Sequence, residues 1–307
     1  MDTHADAPVE VAFDGAVAAD PGTAPREPSR APWAIHPVKL EPWVDGPVLV
    51  GLAAYAAGTG LVEPSPPWRL DVPADDGWLP GIDRAALDTV RTRVKTAGSL
   101  DAAARWSDNL LIVSAFVPLA ASAVQIDGPS RGGAKLEMVK VALVSYEAVG
   151  ASWMLNDVVK RATGRPRPYV VACAGEADPT SCIAHVDDSI ALGDGWLDAD
   201  AHQSFYSGHT ATVAAAWFSA ATFFAEDGPN DVVLRYALPY GAAAAATITT
   251  GVLRVEAGRH YPTDVLVGGL LGASIGVLVP ELHLRTPVSL ALAQTDAGAA
   301  LALQGRW

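Results

Sequence analysis

The chain is short of charge, and shorter still of positive charge. Only 18% of its 307 residues are Asp, Glu, Lys or Arg, against the usual quarter. Its 21 Lys and Arg face 34 Asp and Glu, for a net charge of −13. No basic stripe exists to displace phosphate counterions, which excludes a nucleic-acid partner. The two cysteines, Cys173 and Cys182, are too few for a disulfide scaffold. No histidine pair stands near them, so they do not resemble a zinc site. No basic segment leads into an apolar run at the N-terminus, so no secretory signal is expected. Long hydrophobic runs are scarce too. A spanning helix needs ~20 apolar residues, with a range of roughly 17 to 25, and several stretches here only reach or just miss that floor.

What the chain does have is apolar residues. They make up 50% of it, and mean hydropathy is +0.22, which leans toward a membrane protein. Residues 1–46 are rich in Ala, Pro, Asp and Glu, with little periodicity, and read as a disordered or extended tail. Six apolar runs follow, at Pro47–Val62, Asn109–Ile126, Leu136–Asn156, His209–Ala225, Tyr236–Leu253 and Asp264–Val279. Trp43 and Trp68 flank the first run as interface aromatics would. Between the first two, Leu87, Val90 and Val94 recur at helical spacing in the polar stretch Asp83–Asp108, which predicts an amphipathic helix on the membrane surface or in a soluble fold. The third run carries Glu147 near its middle, a functional candidate or a carboxylate bonded to a neighbouring helix. The sixth contains Gly272-Ala-Ser-Ile-Gly276, small-xxx-small spacing that lets helices approach closely. Residues 284–307 form a tail in which Val288, Leu290, Leu292 and then Ala299, Leu301, Leu303 alternate around Asp296-Ala-Gly298, a β-hairpin signal. The reading is therefore all-α: a six-helix membrane bundle over residues 47–283, a surface amphipathic helix and a small C-terminal hairpin. Short, Ala-rich runs leave a soluble six-helix bundle as the alternative.

Three polar clusters punctuate the apolar sequence. The first runs from Lys160 through Arg167 to Pro168, the second is Ser204-Phe-Tyr206-Ser207-Gly208-His209, and the third runs from Arg254 through His260 to Asp264. If the six runs cross a membrane in alternating directions, all three clusters fall on one side. Their chemistry suits phosphoryl transfer, which spreads charge over three equatorial oxygens and mostly needs positioning and cations. Arg167 and Arg254 can grip phosphate bidentately, and Lys160 adds a point charge. Ser207 and Gly208 open a predicted helix, whose free N–H groups favour an anion. A neutral imidazole is a nucleophile toward phosphorus. His260 fills that role if Asp264 holds its other nitrogen, and His209 can protonate the leaving oxygen. Taken singly, each cluster also reads as a helix-end charge, a helix cap or a structural His–carboxylate pair.

The pattern Lys-x6-Arg-Pro, Ser-Gly-His, Arg-x5-His-x3-Asp resembles the type 2 phosphatidic acid phosphatase superfamily, over about residues 105–283. That superfamily includes membrane lipid phosphatases, soluble bacterial acid phosphatases and vanadium-dependent haloperoxidases. The resemblance implies an all-α core and a phosphatase needing neither metal nor cofactor, acting through a phosphohistidine. It places Lys160, Arg167, Arg254, Ser207 and Gly208 on phosphate, with His260 as nucleophile, His209 as acid and Asp264 as orienter. Two positions depart from the family pattern: Tyr206 replaces a proline and Leu253 a serine, which bears on substrate preference more than on activity. The expected substrate is a lipid phosphate monoester or diphosphate, reached from the bilayer. The alternative is a soluble acid phosphatase or vanadate-binding haloperoxidase relative, and a third reading is a catalytically silent membrane protein. The implied location is the bacterial inner membrane with the site facing the periplasm, although loop Lys and Arg counts do not decide orientation. Cys173 and Cys182 would then lie outside the cytoplasm, where a disulfide persists. Between the first two clusters, Glu176 to Asp200 holds seven carboxylates and no Lys or Arg. It reads as a solvated loop or as a lid that repels highly charged substrates. Which lipid is cleaved, and the oligomeric state, are left open.

Overall fold

A computed structural model describes residues 38–40, 42–61, 68–72, 76–124, 134–227, 231–285, 289–295 and 298–304. Residues 1–37 of the expected tail and the side chains of Trp43 and Trp68 lie outside the described residues. The helices are α1 (Pro42–Leu61), α2 (Gly81–Arg93), α3 (Ala97–Ala115), α4 (Val117–Val124), α5 (Ala134–Thr163), α6 (Pro168–Ala174), α7 (Pro179–Val186), α8 (Gly208–Asp227), α9 (Leu238–Glu256) and α10 (Pro262–Arg285). Two small antiparallel sheets accompany them. The first joins β1 (Trp68–Arg69), β2 (Ala191–Gly193) and β3 (Trp196–Leu197), with β3 central. The second is the expected hairpin, β4 (Ser289–Thr295) with β5 (Gly298–Gln304), in register from Ser289↔Gln304 to Thr295↔Gly298.

The bundle is built around α8. Its Ala211, Val213, Ala214, Ala215, Ala216 and Ala220 are buried, and it packs against α3, α4, α5, α9 and α10. Alanine suits this place because it keeps helix propensity high and lets neighbouring backbones come close. The α8–α10 crossing is the tightest. A Cβ on Gly268 would stand 2.6 Å from the Ser207 carbonyl oxygen, and one on Gly276 would stand 2.7 Å from that of Ala215. The glycine stripe is thus one face of α10. Its opposite face exposes Leu266, Leu270, Leu278 and Leu282, again at four-residue spacing.

That exposed leucine face extends around the molecule through Ile112, Val113 and Phe116 near the end of α3, Leu143 on α5, and Ile248 and Val252 on α9. So wide an apolar surface suits lipid rather than water. Three stretches of the described residues are long and apolar enough to cross a membrane: Gly81–Ala123, Glu137–Ala174 and Pro262–Leu284. The protein is an integral membrane protein, with three such stretches where six spanning runs were expected. The physical difference lies in composition: α8 carries His209 near its start and Glu226 and Asp227 at its end among alanines and threonines, and α9 is rich in Ala and Thr with Arg254 near its end.

The segment between the first two clusters, which includes the Glu176–Asp200 stretch expected as a solvated loop or a lid, carries regular structure. It forms α6, α7, β2 and β3 around a second core at the motif-bearing end of the bundle. There Tyr169, Val170, Ile183 and Leu197 pack with Leu87, Val90, Val94 and Leu100. The amphipathic segment is helical as expected, and this core is what its apolar side meets. Arg84, Asp88 and Thr89 on its other side are exposed. Cys173 and Cys182 tie α6 to α7 with a disulfide.

Candidate active site

Helix α5 ends at Thr163, and Gly164 turns the chain with φ +56°, a left-handed conformation that glycine takes without strain. The turn releases Arg165 and Arg167, and Pro168 starts α6 as its first residue. The Arg165 guanidinium donates to Asp264 Oδ1 at 2.5 Å and to Asp83 Oδ2 at 2.8 Å, and it lies 4.1 Å from the Tyr261 ring centroid. Arg167 is buried. Its Nη2 donates to both carboxylate oxygens of Asp200, at 2.7 and 2.6 Å, and its Nε to the Asp200 carbonyl at 2.8 Å. The expected phosphate-gripping fork is therefore two-thirds engaged by the last acid of the acidic segment. No hydrogen bond is made by Arg167 Nη1 or Lys160 Nζ among the described residues.

The second cluster opens α8. Ser207 Oγ accepts from Thr210 N at 3.4 Å and pairs with Thr210 Oγ1 at 2.9 Å, the geometry of a helix cap. Asn156 Nδ2 donates to the Tyr206 carbonyl at 2.6 Å. The same amide explains Gly208, because a Cβ there would sit 2.6 Å from Asn156 Oδ1. His209 Nε2 meets Asp108 Oδ1 at 2.8 Å. Arg254 reaches the same oxygen at 3.3 Å and Ser107 Oγ at 3.2 Å, while its Nε is buried without an acceptor.

His260 is only 1% exposed. Its Nδ1 lies 2.7 Å from the Ser204 carbonyl oxygen. A carbonyl can only accept, so Nδ1 carries the proton and the neutral ring keeps its lone pair on Nε2. Burial, followed by the positive charges of Arg254, Arg167 and Lys160, pushes the His260 pKa well below its usual value. All three clusters thus act on one imidazole, and they keep it neutral.

The expected Asp264–His260 hydrogen bond is not made, since Nδ1 and Asp264 Oδ2 are 3.7 Å apart. Asp264 is fully buried and already taken. It accepts from Arg165, from Ser204 Oγ at 2.6 Å and from Tyr261 N at 2.9 Å, and its carbonyl accepts from Ser207 N at 3.0 Å. It therefore joins all three clusters and fixes His260 at one remove, by holding the residue whose carbonyl takes Nδ1–H.

Several contributors were not singled out in the sequence. Asp108 pairs with both His209 and Arg254, and its signal was its place where the polar helix turns apolar. Asp83 is wholly buried and accepts from Arg165, Thr263 N and Thr263 Oγ1. Nothing local marks it, since it lies far upstream of all three clusters. Arg165 stood inside the first cluster without an assigned role.

The acidic segment is tied down rather than loose. Asp187 pairs with Arg259, Asp178 caps α7 through Ser181 N, and Asp198 accepts from Asp200 N. Burial opposes ionisation of Asp200, but Arg167 and Lys160 outweigh it and hold its carboxyl down to about 2.

Comparison with known proteins agrees with the motifs. Residues 142–286 match the family model of the PAP2 superfamily, so the resemblance read from the three clusters holds. Phospholipid phosphatase 1 of Rattus norvegicus is 30% identical over 145 residues, which is 44% of this chain and 51% of that protein. Lipid A 1-phosphatase of Rhizobium etli is 28% identical over 176 residues, 53% of this chain and 65% of that protein. The chain thus spans between half and just under two thirds of these relatives. Among solved structures, a transmembrane PAP2 type phosphatidylglycerolphosphate phosphatase from Bacillus subtilis superposes with a TM-score of 0.39 at 17% identity, covering 77% of this chain and 94% of that one.

Proposed function

We propose that the protein is a phosphoric ester hydrolase that cleaves a lipid phosphate monoester or diphosphate through a phosphohistidine on His260. The observation that carries this reading is the state of His260: a neutral imidazole, Nδ1 occupied by the Ser204 carbonyl, set among Lys160, Arg167 and Arg254. A substrate phosphate would be held by Lys160 Nζ, Arg167 Nη1, the unsatisfied Arg254 Nε and the N–H groups at the start of α8. His260 Nε2 attacks phosphorus, the N–P bond forms, and the P–O bond to the lipid breaks. His209, held by Asp108, gives its proton to the leaving alkoxide or phosphate oxygen. Water then attacks the phosphohistidine, His209 takes its proton, the P–N bond breaks and inorganic phosphate leaves. The three cations supply charge stabilisation of the kind a metal ion supplies in other phosphatases, so the reaction is expected to proceed without one.

The lipid-facing leucine surface favours a membrane enzyme over the soluble alternative. The Cys173–Cys182 bridge joins α6 to α7 beside the site, which supports a site outside the cytoplasm; we place it on the periplasmic side of a bacterial inner membrane. Phosphate release by the purified protein tests the proposal, with phosphatidic acid, phosphatidylglycerophosphate, an isoprenyl diphosphate and lipid A phosphates as substrates and EDTA present. Release from at least one is the expected result. No release from any, or release that EDTA abolishes and Mg²⁺ restores, would overturn the corresponding part.

A further inference from the structure

At the opposite end of the bundle, three ionisable side chains from three helices meet. Asp45 of α1, Glu147 of α5 and His283 of α10 bring their ligand atoms within 4.8 Å of one another. By the ~1.5 Å rise of a helix, Glu147 stands about 20 Å along α5 from Lys160, and His283 nearly 30 Å along α10 from Asp264. The cluster therefore belongs to no part of the phosphate site.

We infer that Asp45, Glu147 and His283 form a structural site for a divalent cation of the zinc type. The first support is the tautomer. His283 Nδ1 lies 2.8 Å from the Val279 carbonyl oxygen, which fixes the proton there and leaves Nε2 with its lone pair. Metal-ligating histidines are held in this way by a backbone carbonyl on the other nitrogen. That lone pair faces two carboxylates, at 3.2 Å from Asp45 Oδ1 and 3.5 Å from Glu147 Oε2. One imidazole nitrogen and two carboxylates within 4.8 Å of one another make a donor set that suits a cation.

The second support is Glu147. It is 7% exposed and makes no hydrogen bond among the described residues, so its contact with His283 is its only ion-pair partner among them. A buried carboxylate without hydrogen bonds is costly. A divalent cation with a neutral imidazole would answer Glu147 directly.

The third support is the spacing. Zinc bonds to nitrogen and oxygen are about 2.0–2.2 Å, and the edge of a tetrahedron built on such bonds is roughly 3.4 Å by simple geometry. The two observed separations bracket that value. The donor set, one imidazole and two carboxylates, is one that zinc accepts, with a fourth position left for water. Such a site would pin the start of α1 across α5 and α10. The other half of α1 is already held by Tyr55, which donates to Asp157 at 2.6 Å and stacks edge-on against Trp153.

The test uses the full chain in detergent, stripped with EDTA, desalted, incubated with ZnCl₂ and desalted again. Elemental analysis should find about one zinc per chain, and zinc should raise the melting temperature. His283→Ala and Glu147→Gln should each weaken binding by at least about tenfold. Glu147→Gln keeps the side chain's size and guards against a folding defect in the alanine variant. His260→Ala should keep its zinc, which separates this site from the catalytic histidines whether or not the proposed phosphatase reading holds. A chain that retains no zinc, or variants that bind it as tightly as the parent, would overturn the inference.

Discussion

The two ends of the bundle bury charge of opposite sign. At one end Lys160, Arg167 and Arg254 surround His260, and the carboxylates that answer them, Asp108 and Asp200, have side chains about half exposed at 52% and 48%. At the other end two carboxylates face one histidine lone pair, with no lysine or arginine among the three. In the readings proposed above, the first arrangement takes an anion and the second a cation. Both histidines are held by a backbone carbonyl on Nδ1, Ser204 for His260 and Val279 for His283. The same local device would therefore serve a nucleophile in one proposed site and a ligand in the other, depending on the charges opposite Nε2.

The largest effect expected from breaking the cationic end is the loss of its nucleophile. His260→Ala should lower phosphate release by more than a thousandfold, over about 4 kcal/mol of barrier, with the melting temperature showing that the fold survives. Steady-state assay of the purified variant is the check, and a variant within tenfold of the parent would remove His260 from the chemistry.

His209→Ala should cost about 10²-fold on a lipid phosphate, within the usual range for a general acid. With a p-nitrophenyl or other good leaving group the loss should shrink to a few-fold, because that oxygen needs no proton. Equal losses on both substrates would mean that His209 positions rather than protonates.

A smaller effect separates two acids of the Glu176–Asp200 segment. Asp200 occupies the Arg167 fork, whereas Asp194 sits exposed in the turn between β2 and β3. Asp200→Asn should free Arg167 for phosphate and lower KM about fivefold, by the strength of one charge-assisted contact. Asp194→Asn should leave KM unchanged. Similar shifts in both variants would instead favour a diffuse electrostatic lid.

The smallest effect lies in the pH profile. The pKa of His260 is lowered, so its neutral, nucleophilic form persists below pH 6.5. Between pH 7 and 5.5, kcat/KM should not fall through protonation of this ring. Stability should move the other way. The unfolded chain takes up a proton near pH 6.5 that the folded chain refuses, so this group makes folding less favourable as pH drops below that value and ceases to matter above it. Burial holds the pKa of His209 down to about 4, so a kcat/KM limb near pH 4 that disappears in a His209 variant would belong to the acid; a limb near pH 6.5 that persists there would contradict the buried, neutral His260.

Much of the phosphate site was legible because its candidate reacting groups lie in three short clusters. Their side chains sit at helix ends, where the spacing of Ser207-Gly208-His209 and of His260 to Asp264 survives folding. The glycine stripe of α10 was readable for the same reason, since one helix face records its neighbour directly. The partners of these groups were not. Asp83, Asp108 and Asp200 reach the site from helices and turns that only tertiary packing brings near, and Asp264 was assigned to His260 because a four-residue spacing favours such a pair, whereas Arg165 and Ser204 claim it in the fold. The cluster of Asp45, Glu147 and His283 was legible in one residue only. Glu147 was notable as an ionisable group near mid-helix, but Asp45 and His283 carry no local mark that would join them to it.

The most direct test of the account is to trap the covalent intermediate. Purified protein would be mixed with a ³²P-labelled lipid phosphate, quenched in base to preserve phosphoramidates, digested and mapped. The account predicts label on the peptide carrying His260, no label in His260→Ala, and accumulated label in a variant that forms the intermediate but hydrolyses it slowly. Label on His209, or turnover in a single-turnover experiment with no covalent label at any time, would contradict it.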